Sequence, residues 1–388
     1  MENKNDKLRE FSLKYVLNYI VVAVIGLIFT VLTFAGGLPQ STLFLLEKIT
    51  MNIILAVSLS LVVGFLGELS LGHAGFMCIG AYFGGLVALM LDKSGAVDGN
   101  GILSFVLALV VGAVVAGVFG FIIGLPALRL KGDYLAIVTL AFCEIVKTVF
   151  ENLTFTVGGT KVGGPIGIRT PRFDKQYLFI IGVVLVLITL AVLQNLIRSH
   201  HGRAITAIRD NEIAAHATGI NVTKYKLVGF IISAMFAGVA GVFYSFANST
   251  VSAATFDYNY SIEMLIMVVI GGMGSMNGSI IAATLITFIN MKLQTSLTGD
   301  LAVLKDIIYA LILVLVIIYN NAPALKNIRE RLNIKSFLKK ITSSRPRRSY
   351  ADDEGKWDRV PTKIDMNEVL SVDINVVESV KKPDKEEK

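Results

Sequence analysis

Apolar residues in this chain come in long unbroken blocks rather than at every third or fourth place. A helix crossing a hydrocarbon core of roughly 30 Å needs about 20 predominantly apolar residues. Blocks that approach or exceed that length lie at 15–35, 49–66, 73–91, 102–128, 133–150, 177–197, 226–247 and 302–319. A further block, 261–291, is interrupted by the string IGGMGSMNGS at 270–279. Runs such as ILSFVLALVVGAVVAGVFGFIIG are apolar on every face, which excludes the alternating pattern of a membrane barrel. The pattern predicts an all-α fold: a polytopic transmembrane helical bundle of about 8–10 membrane segments, one pair of them broken by glycine.

Composition agrees, with 54% hydrophobic and 17% charged residues among 388. The opening stretch MENKNDKLREFSLK leads into the first block without an A-x-A cleavage pattern, so it reads as a first membrane helix rather than a removed signal. Cys78 and Cys143 stand alone inside apolar segments, where they pack rather than pair. No His/Cys/Asp cluster has metal-ligand spacing and no nucleophile elbow is present, so the chain carries no catalytic residue and no metal site and is not read as an enzyme.

Lysine and arginine gather in four places: Lys4, Lys7, Arg9 and Lys14; Arg129 and Lys131; Arg198, Arg203, Arg209, Lys224 and Lys226; and the region after Pro323. The positive-inside rule makes all four cytoplasmic, both termini included. Loop 151–176, with Lys161, Arg169, Arg172 and Lys175, runs against that rule. Parity of crossings then requires block 261–291 to enter and leave from one side. Its two pieces of about 14 residues each reach roughly 21 Å, which predicts a turn at depth. The expected domains are a cytoplasmic N-terminus 1–14, a transmembrane domain 15–322 containing a cytoplasmic loop 198–226, a basic membrane-proximal segment 323–348, and a disordered charged tail 349–388. The net charge of +7 follows from this topology and calls for the lipid bilayer as a partner, not nucleic acid.

Polar groups at membrane depth are the candidate chemistry. The stretch GELSLGHAGFMCIGAY, 67–82, brings Glu68, Ser70 and His73 among glycines between two apolar runs. Gly-interrupted segments point to a transport route, and Gly271, Gly272 and Gly274 form a second break. The competing reading is close helix packing, for which Gly80/Gly84, Gly120/Gly124 and Gly274/Gly278 have the small-xxx-small spacing. In DYLAIVTLAFCEIVKTVFE, Thr139 and Glu144 join the candidate route. Glu144 lies eleven residues past Asp133, about 17 Å along a helix, and Lys147 shares its face. That pair is either a polar patch beside the route or a structural ion pair, and His73 either meets solute or holds a hydrogen bond within the fold. Asp257 and Glu263 read as solvated residues of an outer loop.

The loop HHGRAITAIRDNEIAAHATGINVTKYKLVGF holds a short helix, EIAAHAT, with Asp210 or Asn211 as its N-cap, Glu212 in the first turn and Gly219 as its left-handed stop. Here the chain resembles a family. The loop looks like the EAA…G coupling element of ABC importer permeases, matched by Glu212, Ala214, Ala215 and Gly219 with one isoleucine inserted. GELSLGHAGFMCIGAY, LRLKGDYLAIVTLAFCEIVK, GGTKVGGPIGI and VIGGMGSMNGSIIAA resemble, in order, the branched-chain amino-acid permeases, most nearly the M-type subunit. The resemblance implies a multi-pass subunit in the cytoplasmic membrane of a prokaryote. It also implies a second related permease, two ATP-binding subunits and an extracytoplasmic binding protein delivering leucine, isoleucine or valine. No G-x-x-x-x-G-K-[ST] loop occurs in the chain, so ATP is expected on the partner subunits and no cofactor in this one. Related permeases carry urea, sugars or nucleosides. A gradient-driven transporter with Glu144 or His73 as a proton site is the reading from another class.

Overall fold

The computed structural model describes residues 19–20, 22–35, 39–95, 101–130, 132–157, 160–170, 175–248, 250–296, 311 and 314. The expectations for 1–14, 302–319, 323–348 and 349–388 therefore lie outside the described residues, two positions apart. What is described is a helical bundle. In chain order it contains α1 (Val22–Phe34), α2 (Gln40–Ser60) prolonged by a π-helical turn (Leu61–Leu66), α3 (His73–Ser94), α4 (Ile102–Ala127) and α5 (Asp133–Asn152). Then come α6 (Lys175–Arg198), α7 (His200–Asp210), α8 (Glu212–Ala217), α9 (Val222–Ala247), α10 (Tyr258–Gly271) and α11 (Met276–Ser296). Between α5 and α6 a small antiparallel hairpin intervenes, β1 (Thr154–Val157) with β2 (Thr160–Gly163), in the register Phe155 opposite Val162.

Among the described residues six helices are long and apolar enough to cross a membrane. Helix α5 falls outside that group only because it carries Asp133, Glu144, Lys147 and Glu151. Its 20 residues still reach about 30 Å. The first of the six spans starts at Gln40, nine residues earlier than block 49–66, and so takes Glu47 into a buried helical position.

Small residues hold the centre together. Helix α9 packs against α3 and α4 along a stripe that includes Ser233, Ala237, Gly238, Gly241 and Ser245. A Cβ on Gly80 would overlap the backbone of Gly238, and one on Gly241 would overlap the carbonyl of Met77. On the facing side, a Cβ on Gly120 would stand 2.7 Å from Ala234, and one on Gly124 would stand 2.9 Å from Leu227. Without a hydrophobic drive between helices in lipid, such close approach is what lets dispersion contacts accumulate. Aromatic pairs fill what remains, Tyr82 on Phe150 at 4.4 Å between centroids and Phe105 on Phe246 at 5.0 Å. The opposite flank of α4, with Ile102, Val106, Val110, Val114 and Phe121, is exposed and apolar, as a lipid-facing surface should be.

Two helices begin inside the bundle rather than at its end. The His73 ring meets Ser58, eight residues before the end of the π turn at Leu66, so α3 starts about 12 Å in from the end of that span. The Tyr258 amide meets Glu144, eleven residues into α5, so α10 also starts at mid-depth. The turn 272–275, expected at depth, instead lies beside the π turn, where a Cβ on Gly64 would overlap Gly274. The break at depth is 250–257, which leads down to α10. Helix α10 has 14 residues because it starts halfway, and α11 has a full span of 21.

The α3/α9 contact sets a prediction. Gly241→Leu is expected to destabilise the bundle by about 3 kcal/mol or more, since backbone on the facing helix leaves no room. Thermal unfolding in detergent, or the yield of monodisperse protein, measures it; a wild-type melting curve would show that α3 and α9 do not pack this way.

Candidate functional site

The loop between α6 and α9 folds into two helices, each opened by its own side chain. Ser199 caps α7 by accepting from the Gly202 amide at 3.3 Å, and Asn211 caps α8 by accepting from the Ala214 amide at 2.9 Å. Helix α8 ends at Gly219 (φ +83°), with the Ile220 amide returning to Ala215 and the Gly219 amide to His216. That is the doubly bonded left-handed stop of a Schellman motif. Of the two cap candidates, Asn211 is the one used; Asp210 instead accepts two bonds from Arg209, at 3.0 and 2.8 Å. Ala215 turns inward and is buried, whereas Ala214, His216 and Ala217 are exposed and Ile213 is 82% exposed. The inserted isoleucine is thus the most prominent apolar side chain of the loop.

Beneath α8 lies a charge cluster. The Lys226 ammonium, at the fifth residue of α9, sits 2.6 Å from Glu68 Oε1 and 3.4 Å from Glu212 Oε2. Its side chain is 5% exposed and that of Glu68 11%, against 37% for Glu212. Removing one member of such a buried pair costs about 3–5 kcal/mol if the remaining charge stays buried, whereas replacing the pair by apolar groups of similar volume is often neutral. Alongside, Arg209 of α7 donates through Nη1 to the Gly64 carbonyl at 3.0 Å. Its stem lies where a Cβ on Gly67 would come within 2.7 Å of it. Glu68 and Glu212, assigned above to separate roles, are therefore joined through a lysine that served only as a marker of sidedness.

Deeper in, the remaining residues meet around the two buried helix starts. The Ser58 hydroxyl stands 2.9 Å from the Leu55 carbonyl and 2.8 Å from the His73 Nε2, the donor in the second bond being set by the imidazole tautomer. Thr139 is fully buried; its hydroxyl accepts from the Leu71 amide at 3.0 Å and donates to Ala136 at 3.1 Å. The Ser261 hydroxyl accepts from the Ala74 amide at 3.1 Å. Ser70 is buried, with no hydrogen-bond partner for its hydroxyl among the described residues. Glu144 accepts from the Tyr258 amide through Oε1 at 3.0 Å and faces Lys147 through Oε2 at 3.4 Å. On the exposed side of α5, Glu144, Ile145, Thr148 and Val149 line a depression of about 290 Å³. Gly271 abuts Gly278, while Gly272 (φ +92°) and Gly274 (φ +82°) form the turn beside Gly64.

Asp257 and Glu263 are not loop residues in solvent. Asp257 caps α10 through the Tyr260 amide at 3.0 Å, and Glu263 accepts from Asn290 of α11 at 2.9 Å. Sequence reasoning also missed a buried polar chain between α2, α10 and α11, in which Tyr260 donates to Asn52 at 3.1 Å and Asn52 to Thr287 at 2.8 Å. A signal for Lys226 existed: it stands three and seven residues before Gly229 and Ser233, on the small-residue face that packs inward.

The family model described as "Branched-chain amino acid transport system / permease component" matches residues 41–317. The high-affinity branched-chain amino acid transport system permease protein LivM of Salmonella typhimurium is 34% identical over 311 residues, covering 73% of this chain and 70% of that one. LivM of Escherichia coli is 33% identical over the same shares. The ribose import permease protein RbsC of Escherichia coli is 26% identical over 294 residues, 71% of this chain and 84% of that one.

The Asn211→Ala substitution removes the α8 cap and is expected to weaken that helix by about 1 kcal/mol, raising local amide exchange over 212–218 about fivefold. Unaltered exchange there would mean that α8 is held by contacts other than its cap.

Proposed function

Because this chain belongs to the family of branched-chain amino acid transport system permease components, we propose that it is the membrane-spanning subunit of an ATP-driven importer whose solute is leucine, isoleucine or valine. ATP is bound and hydrolysed by two partner subunits, a second, related permease completes the passage, and an extracytoplasmic binding protein delivers the solute. The end of the bundle that carries α7 and α8 is cytoplasmic, as Arg129, Arg198, Arg203, Arg209, Lys224 and Lys226 all gather there.

The observation that carries this reading is α8. A six-residue helix is too short to persist in water unaided, yet here both its ends are closed and it presents an exposed isoleucine flanked by alanines. That is the shape of a knob that fits a cleft on another protein. Closure of the ATP-binding subunits would displace the knob, and the displacement would switch the bundle between outward and inward access. The route itself runs along the outward side of α5. A carboxylate and an ammonium at mid-depth avoid lipid and face a partner or water, and Glu144 with Lys147 lies beside a depression on that side. Greater identity to LivM than to the ribose permease favours an amino acid over a sugar.

The test is transport by the assembled complex in proteoliposomes. Labelled leucine is expected to accumulate only with ATP inside the catalytic compartment and to be displaced by isoleucine and valine but not by ribose. Ile213→Asp is expected to lower uptake and recovery of the ATP-binding subunits at least tenfold while the permease remains in the membrane. Uptake that follows an ion gradient without ATP would overturn the reading.

A further inference from the structure

We propose that Lys226 is the positioning residue through which α8 and the break at 67–72 move as one body. This inference rests on the importer reading and assigns it a transmission element. The ammonium is shared by two carboxylates from different parts of the chain: Glu212, the first residue of α8, and Glu68, the second residue after the π turn. The chain between Glu68 and α3 is only four residues, and α3 begins at His73 in the interior. A shift of Lys226 therefore reaches the buried start of α3 through a very short link.

The geometry ranks the two contacts. The Glu68 contact is the shorter and the more buried and is the firmer of the two links; the Glu212 contact is longer and partly solvated, and it is the link that carries α8 along with α9 and the break. A lysine suits this place, since a point charge on a flexible stem can serve two carboxylates from different directions, whereas a planar guanidinium favours one of them. Arg209 makes a second attachment where the π turn meets this break, bonding Gly64 in the turn and lying against Gly67 from the α7 side. The docking loop thus grips one glycine-bounded segment with two cations, one from each of its flanks. Glu212 is tied into the bundle by this contact as well as presented to a partner, which gives the carboxylate at that position a role on each side.

Coupling and mere structural support are separated by measuring ATP hydrolysis and leucine uptake on the same reconstituted complex. Lys226→Met is expected to lower uptake at least tenfold while hydrolysis stays within about threefold of wild type, so that ATP consumed per leucine rises. Glu68→Gln should act alike, and the double variant should be no worse than either single one, as members of one chain are non-additive. Lys226→Arg should restore part of the uptake. A proportional fall of uptake and hydrolysis, or additive losses in the double variant, would overturn the proposal. If Lys226→Met does not assemble, Glu212→Gln, which leaves the buried pair in place, is read instead. It should raise ATP per leucine in the same direction by a smaller factor, and an unchanged ratio would count against the proposal. A wild-type complex that imports leucine without ATP would refute the importer reading itself, whereas a coupled wild type with an equally coupled Lys226→Met refutes this inference alone.

Discussion

A helix that begins inside a membrane leaves its first amides without carbonyl partners, and in lipid each such group costs several kcal/mol. Two helices of this protein begin that way, and the inner half of the bundle is arranged around supplying them. Helix α5 serves both: Thr139 takes the Leu71 amide ahead of α3, and Glu144 takes the Tyr258 amide at the head of α10. Helix α10 in turn offers Ser261 to the Ala74 amide and caps itself with Asp257. The three elements hold one another in place through these bonds.

That arrangement changes what several side chains mean. Thr139, fully buried, positions the break by accepting from Leu71 and donating to Ala136. His73 likewise bonds Ser58, whose own carbonyl receives Ser233 of α9 at 2.6 Å, so it ties α2, α3 and α9 together. Glu144 differs, because it caps α10 and still has an exposed flank beside Lys147. A group that both fixes a helix start and meets the surface can report to one what happens at the other.

Much of this was legible in the residues. Long apolar blocks announced a helical bundle, and Glu212, Gly219 and a cap at Asp210 or Asn211 announced α8, because capping is local chemistry written in adjacent side chains; the structure selects Asn211. Depth was less legible. The glycine string at 270–279 reads as a turn in the membrane because the apolar pieces on either side are equally short, but α10 is short for another reason: residues 250–257 carry the chain inward before the helix starts. Nothing in that polar, helix-poor stretch distinguishes an outer loop from a re-entrant one. The hairpin at 154–163 had a signal in the Gly158–Gly159 dipeptide between β-prone runs, which the strength of the helical pattern overrode. The junction of Glu68, Lys226 and Glu212 was beyond reach, since 158 positions separate the buried pair and only packing of α9 against the π turn joins them.

The closed ends of α8 carry one more implication. Asn211 at one terminus and Gly219 with Ile220 at the other complete its backbone bonding from within ten residues, while buried Ala215 and the Glu212 contact to Lys226 seat the knob on the bundle. Such a unit behaves as an exchangeable cassette. Changes confined to its outward face, Ile213 and the alanines beside it, leave the bonds that close its two ends untouched.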